Sequence, residues 1–353
     1  MAALTSRERL VLAVIVVFTT LAGVARYAGA KPLLAFAAAT VALAGLAYVV
    51  SFATEQVGER FGPAVTGLLQ STLGNLPELF VVIFALRAGQ TVVAQTSIIG
   101  SIFANALLVL GLVIIVGARR SEDSCMRFGR RLANDTATLL LLCNFIIVLI
   151  GLSIASSDPA SHHVKGISTI GAICLLAVYV AWVIPYVRSD RAASGEAGHA
   201  PRVPLGVSIA LLAVAGVGSA FVSDWFIHAL EPAIDQIGVS EEFAGLVIVA
   251  IAGNAVENAT GIVLAAKGQS DLAVSVVKNS VAQIAAFLFP VLVLISLTFS
   301  HTLTFSLAPV YIGALALTAI AVWQTTGDGE AAEFEGWALV ATYVILAALT
   351  LYE

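Results

Sequence analysis

Long apolar stretches separated by short polar segments run through the whole of this 353-residue chain. Each stretch is long enough to cross the hydrocarbon core of a bilayer as a helix, which takes roughly 20 residues. The apolar residues are continuous and do not alternate with polar ones, so the pattern argues against a transmembrane β-barrel. Breaks at charges, Gly and Pro predict eleven helices. They lie near residues 8–26, 33–57, 62–86, 91–118, 132–154, 165–187, 204–229, 240–266, 270–298, 303–324 and 334–352.

The composition agrees with this pattern. Hydrophobic residues make up 59% of the chain and charged residues only 11%, whereas about 25% of the residues of a soluble domain are charged. The first apolar run lacks a small-residue cleavage signature, so it is interpreted as a retained helix and not as a signal peptide. The sequence therefore predicts an all-α polytopic membrane protein, spanning the inner (plasma) membrane of a cell several times.

The distribution of Lys and Arg predicts the orientation of the chain. With a cytoplasmic N-terminus, twelve of these residues fall in inside segments and four in outside segments. Eleven crossings then put the C-terminus outside. The predicted organisation is an N-terminal transmembrane helix at 1–30, a first repeat at 31–188, a polar cytoplasmic linker at 189–203 and a second repeat at 204–353.

One short motif, Gly-Asn-x-x-Glu, occurs twice in apolar surroundings. It reads Gly74-Asn75-Leu76-Pro77-Glu78 in the first half and Gly253-Asn254-Ala255-Val256-Glu257 in the second. The same shift along the chain also pairs Gly89-Gln90 with Gly268-Gln269, and Ser101 with Ser280. Because five predicted helices separate equivalent positions, the two units enter the membrane from opposite sides, which is an inverted-repeat architecture.

The repeated motif offers oxygen ligands at membrane depth. Asn75 and Glu78 are three residues apart, as are Asn254 and Glu257, so on a helix each pair shares a face. Pro77 is predicted to loosen its helix and free a backbone carbonyl. Ca²⁺ binds six to eight carboxylate, carbonyl and water oxygens. An acid buried in a membrane helix is by default a functional-site hypothesis, so these residues form a candidate cation site.

Neighbouring predicted helices carry further polar residues. Gln95, Ser97, Ser101 and Asn105 lie on the fourth helix, and Ser280 and Gln283 on the ninth. They either support the candidate site or pack helices together by hydrogen bonding. Glu55 and Glu241 precede the two motif helices, where they are candidate funnel acids that gather cations or simply solvated helix ends.

The charge of the two glutamates predicts a mechanism. Two carboxylates in a low dielectric cannot both stay ionised and empty. Two protons or one divalent cation would each neutralise the pair, so the two kinds of occupant exclude each other. A midplane site of this kind, opened alternately to either side, would perform antiport.

Several segments resemble the cation/proton exchanger family, the Ca²⁺/H⁺ antiporters within the wider Ca²⁺/cation antiporter superfamily. They are Thr54-Glu55, Gly74–Glu78, Ser97–Asn105, Ser240–Phe243, Gly253–Glu257, Asp271–Ala273, Ser280 and Gln283–Ala285. The resemblance implies Ca²⁺ coordination by Glu78 and Glu257 with Asn75 and Asn254, and proton exchange at the same two acids. It also implies one helix followed by two repeats of five.

Three departures from the family pattern leave the ion preference open. They are Leu76-Pro77 in the first motif, Asn258 after Glu257, and Lys278-Asn279 ahead of Ser280. Lys278 is either an outward-facing lysine whose amine reaches the membrane surface or a charge that acts on the ion pathway.

Other functions are less favoured by the sequence. A channel would need a continuous pore, usually formed by several subunits, and an intramembrane enzyme would need a catalytic set that the apolar segments lack. An antiporter for Na⁺, K⁺ or Mn²⁺ remains an alternative. No cofactor is expected, only transported Ca²⁺ and H⁺. The expected partners are these ions and the lipid bilayer, not nucleic acid, and a homo-oligomer is left open.

Overall fold

The computed structural model of the chain describes residues 5–58, 69, 73–193 and 202–353. Most of these residues are helical, and they form twelve helices, numbered in chain order. They are α1 (Ser6–Tyr27), α2 (Pro32–Gly58), α3 (Leu76–Arg87), α4 (Thr91–Ala118), α5 (Arg130–Ala155), α6 (Val164–Ala193), α7 (Leu205–Ile237), α8 (Glu241–Gly253), α9 (Ala255–Ala266), α10 (Ser270–Ser296), α11 (Pro309–Thr326) and α12 (Glu333–Leu351). Two short strands, β1 (Cys125–Arg127) and β2 (Glu330–Ala332), complete the described elements.

The helix lengths confirm a polytopic helical membrane protein. In the described ranges, nine helices are long and apolar enough to cross a bilayer, and the bent pair α8–α9 makes up to ten. The predicted helix at 62–86 lies partly outside the described residues and is represented by α3 and a few residues before it. Arg60, which entered the charge count, and residues 194–201 of the predicted linker also lie outside them.

The chain forms two compact units, each built from two separate stretches of sequence. Unit 1 contains Met1–Ala88 and Val180–Glu241, and unit 2 contains Gly89–Tyr179 and Glu242–Glu353. The predicted N-terminal helix, repeats and linker divide the chain into consecutive segments, whereas the compact units do not. The predicted boundaries therefore stay predictions.

In unit 1, α7 packs along α2, and α1 and α3 flank this pair. The contact between α2 and α7 combines small residues with aromatic rings, as in many membrane helix pairs. Ala42 and Ser219 are fully buried, and the rings of Phe36 and Phe226 lie with centroids 5.0 Å apart. The close pairing of α2 and α7 fixes the position of α3, which packs against both.

In unit 2, α4 and α10 are the most buried helices. Of the residues in the most apolar stretch of each, 89% in α4 and 72% in α10 are buried. The backbones of α4 and α8 come together at Gly100, where an added Cβ would lie 2.5 Å from the Leu246 Cα. Only glycine permits this approach, because any side chain would displace the facing backbone.

The strands β1 and β2 pair antiparallel, Cys125 opposite Ala332 and Arg127 opposite Glu330. Arg127 also binds Asp123 through a 2.6 Å ion pair, and this guanidinium lowers the pKa of the Asp123 carboxyl. Arg119 binds Glu333 at 2.8 Å. The acidic segment before α12 is therefore joined to the α4–α5 connection by backbone and ionic contacts, a feature that the helical pattern did not predict.

Within each unit, segments that the charge pattern places on the cytoplasmic side of the membrane are hydrogen-bonded to each other. In unit 2, the Gly129 amide donates to Asp271 at 2.6 Å, and Arg120 donates to the Ala266 carbonyl at 2.6 Å. In unit 1, the Gln56 side chain accepts from the Arg202 and Val203 amides. These contacts agree with the predicted alternation of crossings, and the absolute orientation stays a prediction.

Some helix boundaries differ from the prediction. The predicted helix at 303–324 begins at Pro309, because a residue before proline is driven into an extended conformation, and Ala308 has ψ 144°. The stretch before it is irregular and buried at Leu303 and Phe305. Predicted helix 204–229 extends to Ile237 and ends at Gly238, whose φ is +77°.

Candidate functional site

In both glutamate motifs the chain makes a turn at the asparagine, and a helix begins at the next residue. Asn75 has φ −85° and ψ 10°, and Asn254 has φ −103° and ψ 11°. In each motif the asparagine immediately precedes a twelve-residue helix, and the glutamate lies in the first turn of that helix. At Asn254 the chain bends by 60° between α8 and α9.

This break corrects the prediction of continuous helices through 62–86 and 240–266. Each asparagine lies in a turn at the start of the short helix, and its backbone carbonyl accepts from the amide four residues later, so the predicted shared face of asparagine and glutamate stays a prediction. Pro77 lies in the first turn of α3, where its missing N–H costs no helical hydrogen bond. A helix that ends and restarts leaves backbone carbonyls and amides without partners in either helix, and such groups are available to ligands.

The local backbone is repeated beyond the motif. After α3 and after α9, a glycine with positive φ turns the chain, Gly89 at +81° and Gly268 at +78°. Gln90 and Gln269 follow in the same conformation and precede α4 and α10. The alignment found in the sequence therefore corresponds to an equal succession of break, short helix, turn and long helix.

The Asn254 side chain is held in a buried cluster within unit 2. Its Nδ2 donates to the Ser101 hydroxyl at 2.8 Å and to the Ala250 carbonyl at 2.9 Å. Its Oδ1 accepts from Asn105 Nδ2 at 3.2 Å, and that nitrogen also donates to the Ser101 carbonyl. Because both ends of the Asn254 amide are occupied, the direction of its carbonyl oxygen is fixed.

Glu257 lies beside Ser280, one of the two predicted polar residues of α10. The Ser280 hydroxyl donates to Glu257 Oε2 at 2.5 Å. Hydrogen bonds to charged groups are among the stronger ones in proteins, so Ser280 both orients the carboxylate and stabilises its ionised form. Five of the predicted residues of unit 2 thus contact a motif residue or belong to the motif: Ser101, Asn105, Asn254, Glu257 and Ser280.

In unit 1, Asn75 and Glu78 are both buried, with 5% and 3% of their surface exposed. The Ser223 hydroxyl of α7 donates to the Pro77 carbonyl at 3.4 Å. Ser223 was not identified in the sequence analysis. Its spacing of four from Ser219, also buried, is the signal that would have marked this face of α7.

The remaining predicted residues lie apart from these contacts. Gln95 donates to the Ser306 carbonyl at 3.1 Å, which fixes the irregular stretch before α11, and Ser97 donates to Ala94 of its own helix. Gln283 is buried at the end of an α-helical segment. Glu55 is exposed and Glu241 is partly exposed, and their role as funnel acids stays a prediction.

Lys278 does not face outward. Only 1% of its surface is exposed, and its Nζ donates a short hydrogen bond to the Thr326 hydroxyl at the end of α11. Thr326 in turn donates to the Val322 carbonyl at 2.6 Å. A buried ammonium in a membrane helix is costly and usually functional, so the interpretation of Lys278 as an outward-facing lysine is wrong.

Three asparagines of unit 2 have buried side-chain oxygens with no hydrogen-bond donor among the described residues: Asn105, Asn258 and Asn279. Asn258 follows Glu257, and Asn279 precedes Ser280. Asn105 also lies in a π-helical turn, Ala104–Val109, and similar turns occur at Ala244–Val249 and Ile284–Leu288. π-Turns are frequent at functional sites. The sequence analysis did not predict them.

Among the described residues, no three or more His, Cys, Asp or Glu side chains lie close enough together to hold a metal ion. The candidate ligands described above are single carboxylates with amide and hydroxyl oxygens beside them. This oxygen-only chemistry suits hard cations such as Ca²⁺.

Comparison with known proteins places the chain among ion exchangers. The profile of the family described as sodium/calcium exchanger protein matches residues 31–185 and 207–352. The chain is 32% identical to the Ca²⁺/H⁺ antiporter ChaA of Bacillus subtilis over 88% of this chain and 90% of that protein. It is 33% identical to the vacuolar calcium ion transporter of Schizosaccharomyces pombe over 87% of this chain and 76% of that protein.

Solved structures show the same relationship. The native YfkE structure superimposes with a TM-score of 0.81 at 28% identity, covering 97% of this chain and all of that one. The H⁺/Ca²⁺ exchanger CAX gives a TM-score of 0.74 at 17% identity, covering 98% and 93%, which shows a shared fold.

The resemblance to cation/proton exchangers that the motifs indicated is thus confirmed. The match extends over most of the sequence and includes both glutamate motifs. The chain belongs to the sodium/calcium exchanger protein family, among relatives named as Ca²⁺/H⁺ antiporters.

Proposed function

We propose that this protein is a secondary transporter that exchanges Ca²⁺ for H⁺, with Glu78 and Glu257 as the groups that bind both ions. The observation that carries the proposal is the repeated local structure of the two motifs. In each, an asparagine at a helix break precedes a glutamate in the first turn of a short apolar helix. The names of the relatives support Ca²⁺ and H⁺ as the exchanged ions.

The exchange follows from the cost of charge in a low dielectric. Two ionised carboxylates inside a membrane protein repel each other and lose hydration. One Ca²⁺ neutralises both, and so do two protons. The ion and the protons therefore compete for the same two groups, and a carrier that opens to one side at a time couples their movements in opposite directions.

Asn75 and Asn254 contribute amide oxygens beside the two acids in this proposal. Ser101 and Asn105 position Asn254, and Ser280 positions Glu257, through the hydrogen bonds described above. The protein is proposed to act in the inner membrane with its N-terminus in the cytoplasm, and to export Ca²⁺.

The test is proton-driven uptake of radiolabelled Ca²⁺ into everted vesicles. Glu78→Gln and Glu257→Gln are each expected to abolish uptake, because a neutral amide neither takes up a proton nor balances the charge of Ca²⁺. Glu122→Gln is the matched control, since Glu122 lies exposed in the α4–α5 connection and its loss should leave uptake unchanged. Retained uptake in both Gln variants would contradict the proposed site.

Antiport of Na⁺, K⁺ or Mn²⁺ is the second candidate, favoured by the buried Lys278, which departs from the family pattern. A panel of cations competing against H⁺ flux in proteoliposomes distinguishes the two. The proposal predicts that Ca²⁺ drives proton efflux at the lowest concentration. If another cation does so, the ion assignment is wrong although the antiport mechanism stands.

A further inference from the structure

A small cavity in unit 1 lies apart from the glutamate motifs. It has a volume of about 130 Å³ and is formed where α1 ends, α2 begins and α7 passes by. Most of its lining is Ala, Gly and Pro, and its polar lining consists of Arg26, Trp225 and His228. No acidic side chain is among the residues that line it. The volume is well below the 300–1,000 Å³ typical of pockets for drug-sized ligands, so a single small group would fill it.

Two hydrogen-bond donors at this cavity lack acceptors within the described part of the chain. Arg26 Nε and the Trp225 indole nitrogen are both buried and make no hydrogen bond. Leaving a buried donor unsatisfied is costly, and a native structure usually provides a partner. A guanidinium, an indole N–H and an imidazole together offer donors and positive charge, which is the chemistry that recognises a phosphate.

The position of the cavity along the helices indicates what carries the phosphate. The candidate spans Glu8–Tyr27 and Pro32–Gly58 end and begin on either side of the α1–α2 turn, so the cavity lies at the depth of lipid headgroups. Tyr27 stacks edge-on against Trp225, with ring centroids 6.2 Å apart, and Trp and Tyr are enriched at this depth. Val24 and Leu34 beside the cavity are 57% and 63% exposed and offer an apolar surface for acyl chains.

We propose that this cavity, defined by Arg26, Trp225 and His228, binds the headgroup phosphate of an anionic phospholipid. The Arg26 guanidinium and the Trp225 indole donate to the phosphate oxygens, and the acyl chains lie along the exposed apolar faces of α1 and α2. Gly23 helps to position the indole, because an added Cβ there would lie 3.0 Å from the Trp225 ring. The site is independent of the proposed exchange chemistry.

The test is native mass spectrometry of the purified full-length protein with phosphatidylglycerol and, separately, phosphatidylcholine. The native chain is expected to retain phosphatidylglycerol preferentially. Arg26→Gln should lower this retention about tenfold or more, since it removes charged hydrogen bonds. Trp225→Phe should lower it several-fold, because the ring stays and only the indole N–H is lost.

Lys31→Gln is the matched control. Lys31 lies in the same turn and carries the same charge, but it does not line the cavity, so its loss should leave retention unchanged. Equal losses in the Arg26 and Lys31 variants would show a general charge effect and overturn the site. Binding of inorganic phosphate without retention of phosphatidylglycerol would assign the cavity to a free anion and would also overturn the proposal. Trp225→Phe keeps the test valid if Arg26→Gln fails to fold.

Discussion

A carboxylate in the first turn of a helix meets backbone N–H groups that have no partner inside that helix. The partial positive charge of the helix start also favours an anion there. Glu78 and Glu257 both occupy this position, so their ionised forms are less costly than they would be in the middle of an apolar helix. In the proposed exchange, this placement would let each acid hold a charge in one state and a proton in another.

The hydrogen bond from Ser280 to Glu257 can be tested separately from the acid. Ser280→Ala removes one charged hydrogen bond, worth about 1.5–3 kcal/mol, and should weaken the apparent affinity for Ca²⁺ about tenfold or more. The concentration dependence of Ca²⁺ uptake measures this. Ser97→Ala is the control, because the Ser97 hydroxyl bonds only within its own helix in the described structure. Equal affinities in the two variants would remove Ser280 from the site.

Lys278 and Thr326 form the second residue pair with a measurable consequence. Thr326→Val takes an acceptor from a buried ammonium and should destabilise the protein by about 1–3 kcal/mol. Lys278→Met should cost less, because it removes the buried charge and keeps the volume. Adding Lys278→Met to Thr326→Val should therefore restore stability. Thermal unfolding in detergent measures all three variants, and additive losses in the double variant would contradict this account.

The sequence identified which polar residues are candidates for the site, but it predicted only some of the contacts between them. The two glutamates and two asparagines stood out because polar residues in apolar segments are rare, and the structure buries Asn75, Glu78 and Asn254. The contact between Lys278 and Thr326 joins positions 48 residues apart, and no spacing rule relates such positions. Lys278 was misjudged because its place in the helix does not reveal which way its side chain turns.

At the level of helices, the close approach of α4 and α8 depends on one missing side chain. Gly100→Ala places a methyl group against the Leu246 backbone, which cannot move as a side chain can. Overpacking of this kind costs about 1–3 kcal/mol, so the unfolding midpoint should fall clearly. Gly313→Ala is the control, since nothing lies within 4 Å of its added Cβ and alanine favours helix. An equal midpoint in both variants would mean that α4 and α8 are not in contact.

The length of the apolar stretches predicted that the helices exist, but it did not predict where the helices are interrupted. A window of apolar residues has the same composition whether the helix is straight, widened by a π-turn or broken at Asn254. Gly74 and Gly253 suggested weak points in their helices, and the turns occur at Gly74-Asn75 and at Asn254. The irregular stretch before Pro309 was missed for a similar reason, because its apolar residues are buried by packing and not by a helix.

For the whole molecule, the side of the membrane on which each loop lies is the main open prediction. Cys125 is in the α4–α5 connection, which the charge pattern puts in the cytoplasm. In a Cys143→Ala, Cys174→Ala background, a membrane-impermeant maleimide should label it in everted vesicles and not in intact cells. Burial and the nearby Glu330 carboxylate raise the pKa of the Cys125 thiol, so labelling should be slow at neutral pH and faster at alkaline pH, where more thiolate is present.

Labelling in intact cells would reverse the orientation of every crossing at once, because the loops of each unit are tied together. A variant that also carries Cys125→Ser provides the background signal. The alternation of sides could be predicted because Lys and Arg are unevenly distributed between the loops. The β1–β2 pairing, which connects two of these loops, could not be predicted from the pattern of apolar helices.

The uneven burial of the helices has a consequence for how the sequence can vary. In α4, 89% of the most apolar stretch is enclosed by protein, against 11% in α1. A deep mutational scan should therefore find α1 tolerant of almost any apolar exchange outside the few positions that touch α2 and α7. It should find α4 intolerant even of a swap between valine and leucine. Two helices that hydropathy alone identifies equally as membrane spans would then stand at opposite ends of the range of evolutionary freedom.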